Sequence, residues 1–197
     1  MANICAFKIL PKNETAAAIG HQAGFLITKH MRGIFPELDL NVSNNHPTNA
    51  INLNLTLVVD GYTVGNARAR YQIQTWGNTR GPEYRLTSGL AYLMSAAIPG
   101  DMLVIYPSND QRKMTAEIIR QGTETFVLMQ EAAQEQRSGI ASVPDQLIER
   151  RRRLLQGAID EMQAALEDMP FGRGHNQPPE LIAENPLDDN DRNRLEN

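Results

Sequence analysis

Two segments of the chain gather the side chains best suited to specific recognition. One is "GHQAGFLITK", Gly20–Lys29; the other is "GNTRGPEYRLT", Gly77–Thr87, which extends backwards as "ARARYQIQTW". In the second, Arg80 and Arg85 can each donate two hydrogen bonds to guanine O6 and N7. Glu83 can accept from cytosine N4, and Asn78 or the nearby glutamines can pair bidentately with adenine. In the first, His21, Lys29 and backbone N–H groups suit phosphates, and Gln22 suits a base edge. Gly77 and Gly81 lack a Cβ and let a backbone approach DNA closely. The competing reading is an exposed β-turn whose Glu83 pairs with Arg80 or Arg85, worth at most about 1 kcal/mol.

Catalytic chemistry lacks its usual constellations. The four histidines, His21, His30, His46 and His175, show no HExxH spacing, and one cysteine cannot form a CxxC pair, so no metal site is expected. Cys5 falls in an apolar strand-like stretch, where a packed inert thiol is the expectation. "GHQAG" lacks the serine of a nucleophile elbow, and neither a Walker A nor a GxGxxG loop occurs. None of the four lysines, Lys8, Lys12, Lys29 and Lys113, stands in the Asp…(Asp/Glu)-x-Lys pattern of a Mg²⁺-dependent nuclease. The expectation is a non-catalytic chain with no catalytic residues, no cofactor and no metal.

Bulk properties set the setting. A length of 197 residues allows one domain with a sizeable core plus appendages. The single cysteine excludes an internal disulfide framework and fits a reducing cytoplasm. No run approaches the ~18 apolar residues of a membrane span, and no signal-peptide core opens the chain. A cytoplasmic protein without a membrane partner is expected. The net charge of −4 argues against nucleic acid at first sight. The acidity, however, is concentrated late: the last 27 residues hold three Lys/Arg against six Asp/Glu, whereas residues 1–110 hold eight against seven. A near-neutral domain can still bind DNA if its cations share a face.

The elements that must position these segments are mostly strands. "ICAFKIL" is apolar and ended by Pro11, and "HQAGFLITK" reads as a second strand behind Gly20. "HMRGIFPEL" reads as one helical turn stopped by Pro36. "NAINLNLTLVV" alternates, with Ile51, Leu53, Leu55 and Leu57 on one side and Asn52, Asn54 and Thr56 on the other. Asp60-Gly61 is a hairpin signal. "NARARYQIQTW" alternates in turn, Arg68, Arg70, Gln72 and Gln74 facing away from Ala69, Tyr71 and Ile73. "DMLVIY" and "TAEIIR" read as further strands, and "LTSGLAYLMSAA" as a helix. This is an α+β chain built on a mostly antiparallel β-barrel with one or two short helices.

Beyond Gly122 the pattern becomes helical. Ser142 and Asp145 resemble a capping box, and Ile148, Leu155, Met162 and Met169 recur every seven residues before Pro170. This C-terminal helical extension could cover the barrel or pair with a second copy as a short coiled coil, giving a homodimer through residues 142–170. Arg150–Arg153 sweeps about 300° of helix and reads as a solvated face, or as a contact to flanking phosphates. From Phe171 the chain is proline-rich and acidic, a flexible tail or a docking segment for a protein partner. The expected division is residues 1–130, 131–170 and 171–197.

Four blocks in order, "GHQAGFLITK", "GIFPEL", "NARARYQIQTWGNTRGPEYRLT" and "IPGDMLVIY", resemble the N-terminal effector-DNA-binding domain of the EcoRII restriction endonuclease. That family is a DNA-binding pseudobarrel related to the plant B-three domains, and the resemblance covers roughly residues 3–130. It implies two arms that grip the major groove of double-stranded DNA like a wrench. One is the segment of His21 and Gln22, with Lys29; the other runs from Asn78 to Arg85 and places Arg80, Glu83 and Arg85 on base edges. Leu26 stands where that domain has a tyrosine, and Asn78 and Tyr84 where it has lysines, which implies a different target. The resemblance stops before any nuclease domain, so sequence-specific DNA binding without cleavage is the leading expectation, in restriction or phage–host biology. Two alternatives accompany it: an assembly protein that docks a partner through its C-terminal helix and tail, and a specificity component of a restriction endonuclease.

Overall fold

In the computed structural model the described residues are 3–18, 24–39, 48–75, 81–110, 112–143 and 145–168. The strands are β1 (Asn3–Ile9), β2 (Phe25–Ile27), β3 (Thr48–Val59), β4 (Tyr62–Gln74), β5 (Glu83–Thr87), β6 (Met102–Pro107), β7 (Lys113–Ile119) and β8 (Ser138–Val143). The helices are α1 (Ala91–Ala96), α2 (Glu124–Ala132) and α3 (Asp145–Asp168), and single 3-10 turns occupy Lys12–Glu14 and Arg32–Ile34.

Among the described residues the eight strands form one sheet in the order β2-β5-β4-β3-β7-β6-β1-β8. All pairs are antiparallel except β3 with β7, which runs from Asn54 opposite Lys113 to Val59 opposite Ile118. The sheet curls into a half-barrel, so the chain is α+β with a mostly antiparallel sheet and few short helices.

The β3–β4 hairpin follows from its alternation and its turn. Leu53, Leu55, Ala69, Tyr71 and Ile73 are buried, while Asn52, Asn54, Arg68 and Arg70 are exposed. Asp60 and Gly61 take φ of 49° and 89°, the left-handed pair that a two-residue turn matching strand twist requires. Neighbouring strands hold this tip in place. The Gly61 N–H donates to the buried Glu117 carboxylate at 3.0 Å, and Arg120 donates to Asp60 through its backbone N–H at 2.9 Å and its Nε at 3.2 Å.

Strands β1 and β6 read as apolar runs, interrupted within β1 by Lys8, because both of their faces are covered. Ala6, Leu103 and Ile105 join the larger core with Phe25, Leu53, Tyr71, Leu86 and Leu93. Cys5, Phe7, Met102 and Val104 join a second core with Phe126 and Met129 of α2, Val143, and Leu147 from the first turn of α3. Cys5 is fully buried there.

The structure differs from the sequence reading in two places. "SGIASV" is strand β8, paired with β1 from Asn3 opposite Val143 to Lys8 opposite Ser138. Ser142 therefore lies in a strand, and α3 begins at Asp145. Six ladder positions along β1 outweigh one side-chain cap, and a segment of small residues advertises neither. Helix α1 is also shorter than its sequence pattern, because Ser88 and Gly89 take φ of 65° and 66° and turn the chain before Leu90.

The chain divides into two units, Met1–Asp160 and Glu161–Asn197. Residues 161–168 of the second are helical. Residues 171–197, with the proposed docking tail, lie outside the described residues, as do Met169 and Pro170. Among the described residues no helix is long and apolar enough to cross a membrane.

Candidate nucleic-acid interface

Strand β5 carries three of the residues singled out for readout, and the pleat divides them. Glu83 and Arg85 share one face, and Tyr84 turns to the other. On the first face the registers line up polar side chains across adjacent strands. Glu83 stands opposite Gln74, and Arg85 opposite Gln72 on one side and Leu26 of β2 on the other. Beyond them Arg70 stands opposite Asn52 and Arg68 opposite Asn54, all four exposed. The result is a polar ladder over β3, β4 and β5.

The ladder is organised by its own hydrogen bonds. Arg85 donates from Nε to Glu83 Oε2 at 3.2 Å, with side-chain exposures of 15% and 26%. The sequence reading offered a surface ion pair here; the pair exists but is partly buried, and it orients the guanidinium rather than leaving it free to rotate. Gln72 donates from Nε2 to Gln74 Oε1 at 3.1 Å, so neighbouring amides are also mutually held. Each group keeps further donors or acceptors: two terminal amino groups on Arg85, a second oxygen on Glu83, the Gln74 amide nitrogen.

The segment leading into the first arm is anchored by a buried ion pair. Lys8, in the middle of β1, places Nζ 3.0 Å from Glu14 Oε1 and 2.8 Å from Oε2, the second an ionic contact without hydrogen-bond alignment. Both groups also reach Leu26. The Leu26 N–H donates to Glu14 Oε1 at 3.0 Å, and Lys8 Nζ donates to the Leu26 carbonyl at 2.9 Å. Among the described residues no strand lies beside the outer edge of β2, and these side chains satisfy its backbone instead. Gly24 explains one glycine of the "GHQAG" block. Its φ is +81°, and a Cβ there would run into the Leu86 carbonyl of β5. Lys29 is exposed on the turn after β2, where the Met31 N–H bonds the Thr28 carbonyl at 3.1 Å.

Of the proposed arm residues, Lys29, Glu83, Tyr84 and Arg85 are thus placed, whereas His21, Gln22, Asn78 and Arg80 lie outside the described residues. Glu83 and Arg85 are brought together with Gln72 and Gln74. Tyr84 is not; it packs against the larger core. Its ring lies 6.1 Å from that of Tyr71, which stacks on Phe35 at 4.7 Å, and the Arg32 guanidinium sits 3.6 Å above its centroid. Burial, with the nearby Tyr84, raises the Tyr71 phenol above its ordinary range despite the opposing pull of Arg32. It stays a neutral donor. The Lys8–Glu14 anchor and the Arg32 cluster escaped the sequence reading. The one available signal was a lysine inside an otherwise apolar strand.

Among the described residues no three His, Cys, Asp or Glu side chains are grouped to hold a metal ion. Compared with known proteins, the chain matches no family model and no curated protein.

Proposed function

We propose that this chain is a sequence-specific double-stranded DNA-binding protein that grips the major groove with two arms and does not cleave. The observation that carries the reading is the β4–β5 ladder, where Gln72, Gln74, Glu83 and Arg85 sit side by side on one face. These are the side-chain types that distinguish base edges in a groove wide enough for a two-stranded ribbon. Their mutual hydrogen bonds favour readout, since side chains ordered beforehand lose less entropy on binding. The curled half-barrel agrees with a pseudobarrel, and the anchored β2 gives the opposite arm a rigid base. In this reading Arg80 joins Glu83 and Arg85 on base edges. His21, Gln22 and Lys29 contact the backbone or bases from across the groove, and Asn78 adjusts the target, whereas Tyr84, packed against the core, takes no part in readout.

The test is selection of bound sequences from a random duplex pool, followed by gel shifts on the winner. Arg85→Ala should cost ~1–3 kcal/mol of specific binding and relax preference at one position, and Arg80→Ala should behave alike. Few cations line the arms, so the salt dependence should be shallow. A pool that yields no motif at low salt ends the proposal, and Mg²⁺-dependent cleavage by the purified chain would convert it to an endonuclease.

A second reading rests on α3. Met162 is 65% exposed on that helix, an apolar side chain left to solvent. A homodimer or a partner protein docking there accounts for it, and native mass measurement distinguishes the two.

A further inference from the structure

The inner side of β5 holds a groove that the DNA reading does not use. Its volume is about 520 Å³, and Arg32, Phe35, Pro36, Leu38, Tyr71 and Tyr84 line it, with Glu37 beside them. Pockets of ~300–1,000 Å³ accommodate small ligands. Two features give this one a chemistry. The first is the run of rings, Phe35 stacked on Tyr71 at 4.7 Å and Tyr71 tilted against Tyr84 at 6.1 Å. Phe35 and Tyr71 are themselves buried, so Tyr84 is the ring of this run that a planar ligand can reach. The second is the Arg32 guanidinium, whose carbon sits 3.6 Å over the centroid of the Tyr84 ring. Its Nε is buried with no hydrogen-bond acceptor, and no carboxylate among the described residues forms an ion pair with it. A buried donor left unmade is costly, and on this half-buried side chain it is the Nε that goes unmet.

We propose that this groove binds a small planar ring carrying an anionic group, a nucleoside monophosphate or an aromatic carboxylate. The ring lies against Tyr84 at the mouth of the groove, and the phosphate or carboxylate pairs with the Arg32 guanidinium, whose Nε has no acceptor of its own. A fork-shaped guanidinium fixed on an aromatic face is preorganised for two coplanar oxygens. This site is independent of duplex binding, because Tyr84 faces away from Glu83 and Arg85.

The test uses the full chain and isothermal titration with five probes: AMP, UMP, 4-hydroxybenzoate, adenosine and inorganic phosphate. AMP and UMP, or 4-hydroxybenzoate, should bind saturably at millimolar concentration or below, and which of them binds identifies the source of the anion. Adenosine and inorganic phosphate, each lacking one half of the chemistry, should bind about tenfold more weakly or worse. Arg32→Met should weaken the ringed anion by about 10–100-fold, and Arg32→Lys, which keeps the charge but loses the fork, by an intermediate factor. Amide shifts on ligand addition should centre on Arg32–Leu38 and on Tyr84, a readout that holds even if Arg32→Met folds poorly. No saturable binding by any ringed anion overturns the proposal. So does binding that both Arg32 variants leave unchanged, or equal affinity for inorganic phosphate and the nucleotides.

Discussion

Replacing Lys8 by methionine isolates the anchor of β2. The substitution keeps the length and apolar stem of the side chain and removes only the ammonium, so packing in β1 is nearly conserved. What remains is Glu14, whose side chain is 3% exposed, facing no cation, and a Leu26 carbonyl without its donor. Breaking a buried pair from one side costs ~3–5 kcal/mol, a large part of the ~5–15 kcal/mol that holds a domain together. At ~2–4 °C per kcal/mol for a chain of this size, the midpoint should fall by roughly 10–15 °C. Adding Glu14→Gln should recover about 1–3 kcal/mol, because a neutral amide oxygen still accepts from the Leu26 N–H while the buried charge is gone. Urea melts give the stabilities, and hydrogen exchange at the Leu26 amide reports the edge directly. The reasoning fails if Lys8→Met costs under about 1 kcal/mol, within the range of an exposed pair. It fails equally if the double variant is less stable than Lys8→Met alone.

Three further substitutions probe other joints. Gly24→Ala combines a left-handed φ of +81° with a collision against the Leu86 carbonyl. It should cost ~2–4 kcal/mol by thermal melt, well above the usual strain of a non-glycine residue there. Asp101 is fully buried and accepts from the Ile98 N–H at 2.9 Å and the Gln121 N–H at 3.0 Å. Asp101→Ala orphans both donors and should cost ~2–4 kcal/mol in urea, with Asp101→Asn clearly milder. Thr123 caps α2 by accepting from the Phe126 N–H at 3.2 Å, so Thr123→Ala should lose ~1 kcal/mol and Thr123→Ser almost nothing.

How far the molecule could be read from its residues depended on whether a signal was local. The β3–β4 hairpin was legible because a period of two and an Asp-Gly turn are written within one continuous stretch. So were β1 and β6, as apolar runs, the first interrupted by Lys8. Strand β8 was not, since "SGIASV" has little propensity of its own and is a strand only because β1 offers an edge more than 130 residues earlier. On β5 the pairing of Glu83 with Arg85 was within reach, and so was the opposite orientation of Tyr84. Alternation predicts both, yet the resemblance grouped all three on one arm. Of the Leu26 anchor only Lys8, a cation inside an apolar strand, was visible in the sequence. The anchor's parts lie on β1, a 3-10 turn and β2, and only the fold brings them within 3.0 Å of one another.

The position of β1 between β6 and β8 sets a timetable for the growing chain. Among the described residues, β1 meets its first strand partner only when Met102–Ile105 emerge, and its second only with Ser138–Val143. At ~5–20 residues per second, about 100 residues of waiting leaves β1 unpaired for ~5–20 s. Throughout that interval Phe7 and Cys5 have no α2 to cover them. A nascent chain halted before Ser138 should therefore need a chaperone, and one released just past Leu147 should not.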